Sequence, residues 1–457
     1  MPTQIFRRAR SLAAIAALVP ALSACEDFLR AENPGAIPEP DLTDVTYIPL
    51  MVQGTVGEFQ RMFPQVIYYN GLFTDELRNH HVFFEERDID RRLALPEHGT
   101  ISFFAYQPLH RARHMADTAA ARMKTLLGDS AAVDTRLARV LAYGGYTHVL
   151  LAELMCESPV NGSAPYTPAE LLSDFAIPRF EEAIEIATRV RDDLTRTAAV
   201  RASADSILNL ARVGAARAHL NLNEKTAALQ YANDVLAALP AAADTLWTFR
   251  AWYSENSTVE NMYIFGRLTG TSASLTGSVT STPFEPMIDR RVPRPVVMER
   301  TQNTLNAFVP NSPRAYSSYT GDAAVSDSAR RVGTDFTRAG WIRIASWREA
   351  RYIKAEAEGN TAANLAFLNA QKKLGEDTTT VVAPTDSAYL ALVRDQRRRE
   401  FYLDGHRLGD LRRYKAFHGV DEFQRGLYTG GPDSYGPQEC WVLPLTEING
   451  NPNVPRP

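Results

Sequence analysis

The sequence predicts a mostly α-helical protein in which paired helices pack beside a long irregular segment. Apolar residues recur at helical spacing over residues 135–240 and again over 341–418. Prolines and N-capping residues divide these two regions into separate helices. The helical period is lost over residues 266–340, where Gly, Ser, Thr and Pro are frequent. So long a loop region in a compact protein is usually functional or disordered, so we expect this segment to shape a ligand site.

The chain begins with the features of a secretory signal. Three arginines within residues 7–10 precede an apolar run over residues 11–24 that is too short to cross a bilayer. The run ends in the tetrapeptide LSAC, which matches the bacterial lipobox. We therefore expect residues 1–24 to be a lipoprotein signal peptide and Cys25 to be the lipid-anchored first mature residue. The alternative is an ordinary signal followed by a buried or disulfide-bonded cysteine.

The remaining chain has the composition of a soluble body on a tether. Residues 25–40 are polar and proline-rich, as in a tether, and we expect residues 41–457 to form a single binding domain. Removal of the three signal arginines would move the net charge from −4 to −7, which argues against nucleic acid as a partner. No later apolar run has membrane-spanning length.

The first helical region, residues 135–240, is predicted to form two helix pairs. A helix is predicted over residues 135–155, and the stretch TPAE at residues 167–170 has the order of N-cap, N1 proline and N3 glutamate for a second helix. Two further helices are predicted over residues 203–222 and 224–239. Small residues such as Gly214 would let these helices approach closely. The pattern loosely follows tetratricopeptide helix pairs.

Three helices are predicted after the irregular segment, over residues 342–358, 361–374 and 386–403. Gly405 would then permit a break before the next helix. This part of the chain alternates arginines with the acids Glu400, Asp404 and Asp410. The near balance of charge favours a structural lattice that locks helix packing over an anion-binding arginine cluster.

Four stretches of the sequence resemble one protein family. WREARYIKAEAE (347–358), RDQRRREFYLDGHRLGDLRRY (394–414), WVLPLTEINGNPN (441–453) and CEDFLRAENPG (25–35) are similar to the SusD/RagB family of outer-membrane nutrient-binding lipoproteins. The sequence departs from the usual family residue at four positions, which are Gln396, Asp404, Leu408 and Tyr414.

The resemblance implies a function in capture rather than chemistry. It implies a cell-surface lipoprotein of the outer membrane that binds an oligosaccharide or other nutrient and passes it to a SusC-type TonB-dependent transporter. Neither a cofactor nor a metal is expected, since His110 and His114 have metal-ligand spacing but no glutamate base between them. Two alternatives remain open: a tetratricopeptide lipoprotein of outer-membrane assembly, and a secreted glycan hydrolase using acidic pairs at residues 75–76 or 85–86.

Aromatic residues are the best candidates for ligand contact. Nine of them lie within residues 63–106, interleaved with polar side chains, although core packing would explain more than half. The resemblance places a glycan site between this region and the irregular segment. The candidate residues are Phe103, Tyr106, Tyr316 and Tyr319. Arg113 stands where the family often has asparagine, which argues against a starch-type contact.

Two cysteines remain after Cys25, and we predict that Cys156 and Cys440 form a disulfide. An even pair in an oxidising, extracytoplasmic setting is normally bonded. Both cysteines also lie at predicted element boundaries, where a bridge can be accommodated. The alternative is two separately buried thiols.

Overall fold

The structure is a computed structural model that describes residues 43–74, 76–79, 84–238, 247–254, 273–275, 341–374, 377–428 and 433–456. The chain divides into two compact units, Met1–Tyr47 and Ile48–Pro457. In the described part of the first unit, residues 43–47, the backbone forms the short 3-10 helix Val45–Tyr47. All other described helices and strands belong to the second unit.

The second unit is built mainly from helices. Its first part contains α1 (Ile48–Phe73), β1 (Leu77–Asn79), α2 (Phe84–Asp90), a single turn Gly99–Ile101, the π-helical turn Ser102–Tyr106 and α3 (Gln107–Leu127). The 3-10 helix Gly128–Val133, α4 (Thr135–Leu154), the turn Pro168–Glu170, the π-helical turn Leu171–Ala176, α5 (Ile177–Asp192), α6 (Ala198–Asn221) and α7 (Lys225–Ala238) follow. The last part contains β2 (Thr248–Ala251), β3 (Ala273–Leu275), β4 (Ile342–Ser346), α8 (Trp347–Glu358), α9 (Ala362–Leu374), α10 (Asp386–Glu400), α11 (Arg407–Arg413), the π-helical turn Tyr414–His418 and α12 (Leu445–Gly450).

Consecutive helices α3 to α7 pack side by side, as tetratricopeptide-like pairs do, and this confirms the mostly α prediction. The close approach depends on two glycines that receive one ring. A Cβ added to Gly214 of α6 would lie 2.4 Å from the Phe180 ring of α5, and one added to Gly145 of α4 would lie 2.6 Å from it. Phe180 is itself completely buried. The three helices can therefore meet at this ring only where two positions lack a side chain.

The predicted helix start at residues 167–170 is confirmed. The Thr167 hydroxyl accepts a hydrogen bond from the Glu170 backbone N–H at 3.3 Å, and the Glu170 carboxylate accepts one from the Thr167 N–H at 2.7 Å. This reciprocal capping satisfies two backbone donors that a helix start leaves free. The predicted helix over 203–222 begins earlier, at Ala198, because Thr197 supplies a cap there.

The helix predicted over residues 342–358 is wrong in its first five residues. Ile342–Ser346 is the strand β4, and the helix α8 starts only at Trp347. The strand pairs antiparallel with β2, with Ala251 opposite Ile342 and Thr248 opposite Ser346. Ser346 then caps α8 by accepting a hydrogen bond from the Glu349 N–H at 3.3 Å. A distant strand therefore overrides the local helical period.

The arginine-rich stretch is structural, as predicted. Arg397 of α10 lies 2.7 Å from Asp410 of α11, and Arg413 lies 2.8 Å from both Asp410 and Glu356 of α8. All of these groups are buried. The arginines Arg397 and Arg413 hold the pKa of the Asp410 carboxyl far below its usual range even though burial opposes this. The helical conformation is interrupted between α10 and α11, where Gly405 has a φ of +78°.

The same lattice joins this region to β4 and the helix pairs. Arg343 of β4 donates to Glu400 at 3.0 Å and to Asp404 at 2.8 Å. Arg217 of α6 donates to Glu153 of α4 at 2.7 Å, and these side chains are buried as well. Removal of one partner from such a pair would leave the other buried charge uncompensated and would destabilise the fold.

The predicted disulfide is present. Cys156 and Cys440 are bonded, with their Cα atoms 5.0 Å apart. The neighbouring backbones are also hydrogen-bonded, because the Cys156 N–H donates to the Trp441 carbonyl at 2.9 Å and the Trp441 N–H donates to the Leu154 carbonyl at 2.7 Å. The C-terminal segment is thus attached to the end of α4 by a covalent bond and by backbone pairing.

Within the described ranges, no helix is both long enough and apolar enough to cross a bilayer.

Candidate functional site

Three phenylalanine rings project from one region of the surface. Phe84 and Phe103 are each 60% exposed, and Phe104 is 42% exposed. Most other aromatic side chains of the surrounding helices are buried, including Phe59, Phe63, Tyr68, Tyr69 and Phe73 of α1. We call Phe84, Phe103 and Phe104 the aromatic patch. Exposed apolar patches on soluble proteins can mark binding sites, so the aromatic patch is the candidate site.

The π-helical turn Ser102–Tyr106 turns two of these rings outward. Pro108 has no N–H, so the Phe104 carbonyl cannot receive the usual helical hydrogen bond from residue 108. The preceding turn is wider than an α-helical turn, and the Gln107 N–H donates to the Ser102 carbonyl instead. Within the turn, Phe103 and Phe104 are exposed while the following Ala105 is buried.

Each exposed ring is supported from below by a buried or compact group. Phe104 stacks on the buried Tyr69 of α1 with centroids 6.4 Å apart. The Phe103 ring lies over Gly99, where an added Cβ would be 3.3 Å from it. Phe84 meets His98 edge to face at 5.8 Å. The patch is therefore supported by packed neighbours rather than by loose side chains.

Two hydrogen bonds tie α2 to the turn Gly99–Ile101, which directly precedes the turn that carries the other two rings. The Thr100 N–H donates to the Glu85 carboxylate at 2.7 Å, and the Thr100 hydroxyl donates to the same oxygen at 2.5 Å. Burial alone would raise the pKa of Glu85, but these hydrogen bonds lower it below its ordinary value. Glu85 therefore stays ionised and fixes the position of Phe84 relative to Phe103.

The three described residues of the irregular segment form the strand β3. This strand pairs antiparallel with β1, with Leu77 opposite Leu275 and Asn79 opposite Ala273. Strand β1 in turn contacts α1 and α2. The described backbone therefore brings the N-terminal aromatic region next to part of the middle segment. The candidates Tyr316 and Tyr319 lie outside the described residues.

Tyr106 differs from the other described candidate. It is only 4% exposed, its ring packs 4.3 Å from that of His110, and burial raises the pKa of its hydroxyl. Its ring cannot serve as an exposed stacking surface in this arrangement, because the wide turn ends at Tyr106 and directs it inward. The other described candidate, Phe103, is exposed, and Phe84 and Phe104 are exposed rings that were not among the candidates. For Phe104, the sequence signal is Pro108, which follows the wide turn.

Arg113 is also buried and does not reach the aromatic patch. It donates to Asp117 at 3.1 Å and to Asn161 at 3.0 Å. Asp117 also lies 3.4 Å from the completely buried His148. Burial opposes ionisation of Asp117, but His148 and nearby arginines lower its pKa to about 2. The group therefore forms a buried ion cluster under the surface.

His110 and His114 have the spacing of two metal ligands but lie in different surroundings. His110 donates to or accepts from the Ser158 hydroxyl at 3.0 Å, and burial lowers its pKa to about 3. His114 is exposed on α3. The part of the chain that the structure describes contains no group of three or more side chains placed to hold a metal ion.

Residues 352–439 match the SusD family model. No curated protein sequence matches the chain. A SusD-like carbohydrate binding protein from Bacteroides vulgatus ATCC 8482 aligns with a TM-score of 0.60 and 15% identity, covering 90% of this chain and 98% of that one.

Two further structures have the same fold. A SusD superfamily protein from Bacteroides thetaiotaomicron VPI-5482 aligns with a TM-score of 0.58 at 14% identity, over 90% of this chain and 100% of that one. A laminarin binding SusD-like protein aligns with a TM-score of 0.55 at 13% identity, over 90% and 99% of the two chains. At such identities the likeness establishes the fold.

The chain is thus a mostly α-helical protein with tetratricopeptide-like helix pairs and a supported patch of exposed aromatic rings. Its resemblance to the SusD/RagB family is confirmed by the matched segment and by the fold.

Proposed function

We propose that this protein captures an oligosaccharide at the aromatic patch and delivers it to a TonB-dependent transporter of the outer membrane. The observation that supports this most directly is the exposure of Phe84, Phe103 and Phe104, whose rings pack on Tyr69, Gly99 and His98 near the β1–β3 pair. Flat rings match the apolar faces of sugars, while neighbouring polar groups can meet the hydroxyl rims. The fold is shared with carbohydrate-binding relatives.

Binding fits the surrounding carboxylates better than hydrolysis does. Glu85 is held by Thr100, and Glu86 is buried. Glu76 is also buried and accepts a hydrogen bond from the Leu403 N–H at 3.0 Å. These acids support the structure, whereas a glycosidase needs two carboxyl groups facing the same bond. Asp75 lies outside the described residues.

Anchoring and delivery complete the proposal. The signal peptide, Cys25 and the tether of residues 25–40 lie outside the described residues, and their support is the lipobox and the family resemblance. A lipid on Cys25 and a flexible tether would hold the binding domain at the membrane surface beside a transporter. We place the protein at the cell surface on this basis, with residues 41–457 as one binding domain.

The capture step is tested by removing single rings. The detergent-solubilised full chain is applied to an array of neutral oligosaccharides that includes laminari-oligosaccharides, and calorimetry then measures affinity for the sugar that binds best. Phe103→Ala and Phe104→Ala should each weaken binding about five- to tenfold, since a stacking contact is worth about 1 kcal/mol. Phe417→Ala is the matched control, because this ring is similarly exposed on a different π-helical turn.

Two results would contradict the capture proposal. One is an array that retains no glycan. The other is wild-type affinity in the variant that lacks both Phe103 and Phe104, provided that circular dichroism shows the variant to be folded.

A further inference from the structure

A row of three polar side chains lies beside the aromatic patch. The Gln107 side-chain amide donates to the Ser102 hydroxyl at 3.3 Å, and the Ser102 hydroxyl is hydrogen-bonded to the Thr446 hydroxyl at 3.2 Å. Gln107 and Thr446 are exposed, whereas Ser102 is buried. We call these three residues the polar row. Its two ends are open to solvent, and its buried middle member joins them.

The wide turn brings Gln107 close to an exposed ring. Ser102 directly precedes Phe103, and the Gln107 N–H donates to the Ser102 carbonyl across the turn. The Gln107 side chain therefore starts one π-helical turn beyond Ser102 and reaches back to its hydroxyl. One turn of the chain thus carries both an exposed ring for stacking and an exposed amide for hydrogen bonding.

The other end of the polar row comes from the C-terminal segment. The Leu445 N–H donates to the Pro96 carbonyl at 2.7 Å, and Thr446 follows it in α12. The Cys156–Cys440 bond attaches the same segment to the end of α4. Contacts that are distant in sequence therefore hold the Thr446 hydroxyl beside the wide turn.

Both exposed ends keep hydrogen-bonding capacity for a ligand. A primary amide has two N–H donors and an acceptor oxygen, and the row uses one of the Gln107 donors. A hydroxyl has one donor and two acceptor positions, and Thr446 uses one of these three with Ser102. The two hydrogen bonds of the row together span about the width of one sugar unit. Both ends can therefore meet hydroxyls of the same sugar.

Stacking and hydrogen bonding contribute differently to the recognition of a sugar. A phenyl ring contacts the apolar C–H groups of a sugar face, which glucose and mannose both offer. A polar group that is held in one position discriminates more strongly, because a sugar with a misplaced hydroxyl leaves that group without a partner. The polar row is therefore suited to add selectivity to the affinity that the rings supply.

We propose that Gln107 and Thr446 determine which neutral sugar the aromatic patch accepts, by hydrogen bonding to hydroxyls of the sugar that stacks on Phe103. Ser102 is a positioning residue, since its buried hydroxyl holds the two ends of the row together. The inference rests on the proposed function, because it takes the aromatic patch to be the glycan site. It adds the residues that distinguish one epimer of a sugar from another.

Calorimetry on the detergent-solubilised full chain tests this assignment with the β-1,4-linked hexasaccharides of glucose and of mannose, two epimeric sugars. The measured quantity is the ratio of the two affinities. Gln107→Leu and Thr446→Val should each reduce the preference for the better-bound sugar about fivefold, the effect of one lost hydrogen bond. Thr446→Ser keeps the hydroxyl and should keep the preference. Thr125→Val is the matched control, because it removes an exposed hydroxyl near the opposite end of α3.

The Phe103→Ala variant separates this inference from the proposed function. It should weaken binding of both hexasaccharides by a similar factor and leave their ratio unchanged. Equal wild-type affinities for the two sugars, binding of neither, or a ratio that Gln107→Leu and Thr446→Val do not alter would overturn the inference. So would an equal loss for both sugars in these variants, which indicates a structural role alone.

The failure of each proposal has its own signature. Array glycans that are retained by the wild type and lost in Phe103→Ala leave the proposed function standing, even where Gln107→Leu and Thr446→Val change no preference. A wild-type chain that retains no glycan on the array overturns both proposals.

Discussion

The loss of stability on removal of the disulfide can be calculated from the length of the loop that it closes. Cys156 and Cys440 are separated by 284 residues, so their bond closes a very long loop. In the chain-entropy model a loop of that length stabilises the folded state by about 5.5 kcal/mol, because it removes conformations from the unfolded chain. Replacing both cysteines with serine should lower the free energy of unfolding by up to this amount.

The native contacts around the bridge should survive the substitution. The backbone pairing between Leu154, Cys156 and Trp441 does not need the sulfur atoms. Arg412 also donates to the carbonyls of Ala152, Glu153 and Met155, each at 2.9 Å, and so caps the end of α4. The folded structure therefore stays similar, and most of the loss comes from the greater freedom of the unfolded chain. Measured losses are often smaller than this model gives.

Urea unfolding followed by tryptophan fluorescence measures the effect. The oxidised wild type is compared with the double serine variant, and wild type unfolded under reducing conditions is the matched control, which should behave like the variant. Equal free energies of unfolding for the oxidised wild type and the variant would refute the reasoning. So would two free thiols in the denatured, unreduced protein, because the bridge would then be absent.

Local sequence signals predicted what depends on nearby residues. The capping residues Thr167 and Glu170 are three positions apart, so their hydrogen bonds can be anticipated from the chain alone. The balance of acids and arginines likewise predicted a structural lattice. The partner of each arginine could not be predicted from the local sequence. Arg397 of α10 pairs with Asp410 of the next helix, and Arg217 of α6 pairs with Glu153 of α4.

Long-range strand pairing explains why the helix predicted over residues 342–358 is wrong in its first five residues. Ile342–Ser346 has apolar residues that fit the helical pattern extending into α8, yet the segment pairs with β2 nearly one hundred positions earlier. No local pattern contains that partner. Strand preference depends strongly on tertiary context, whereas helix caps lie within a few residues of the helix they begin.

Of the candidate residues that the structure describes, Phe103 is exposed and Tyr106 is buried, and the ligand site itself stays a prediction. Phe103 and Phe104 are adjacent and both exposed, and both lie in the wide turn before Pro108. The same arrangement recurs where the π-helical turn Leu171–Ala176 precedes Pro178. A proline two residues after a helical turn can therefore predict a π-helical turn, because its missing N–H leaves a carbonyl of that turn without its usual donor.

Two further predictions concern anchoring and pH. Cys25→Ser should release the protein from membranes into the soluble fraction, and a co-purifying transporter barrel should be lost with it; a lipid-labelled variant that stays in the membrane would contradict this. For pH, burial lowers the pKa of His148 to about 4, below the roughly 6.5 of an unfolded histidine. Below pH 6.5 the unfolded chain therefore binds a proton that the folded protein excludes, so stability present at pH 7 is lost as the pH falls toward 4. From pH 7 to pH 5 this histidine should remove about 2 kcal/mol from the free energy of unfolding, and His148→Gln should show a correspondingly smaller decrease. Equal decreases in the wild type and the variant would mean that His148 takes up its proton in the folded protein as readily as in the unfolded chain.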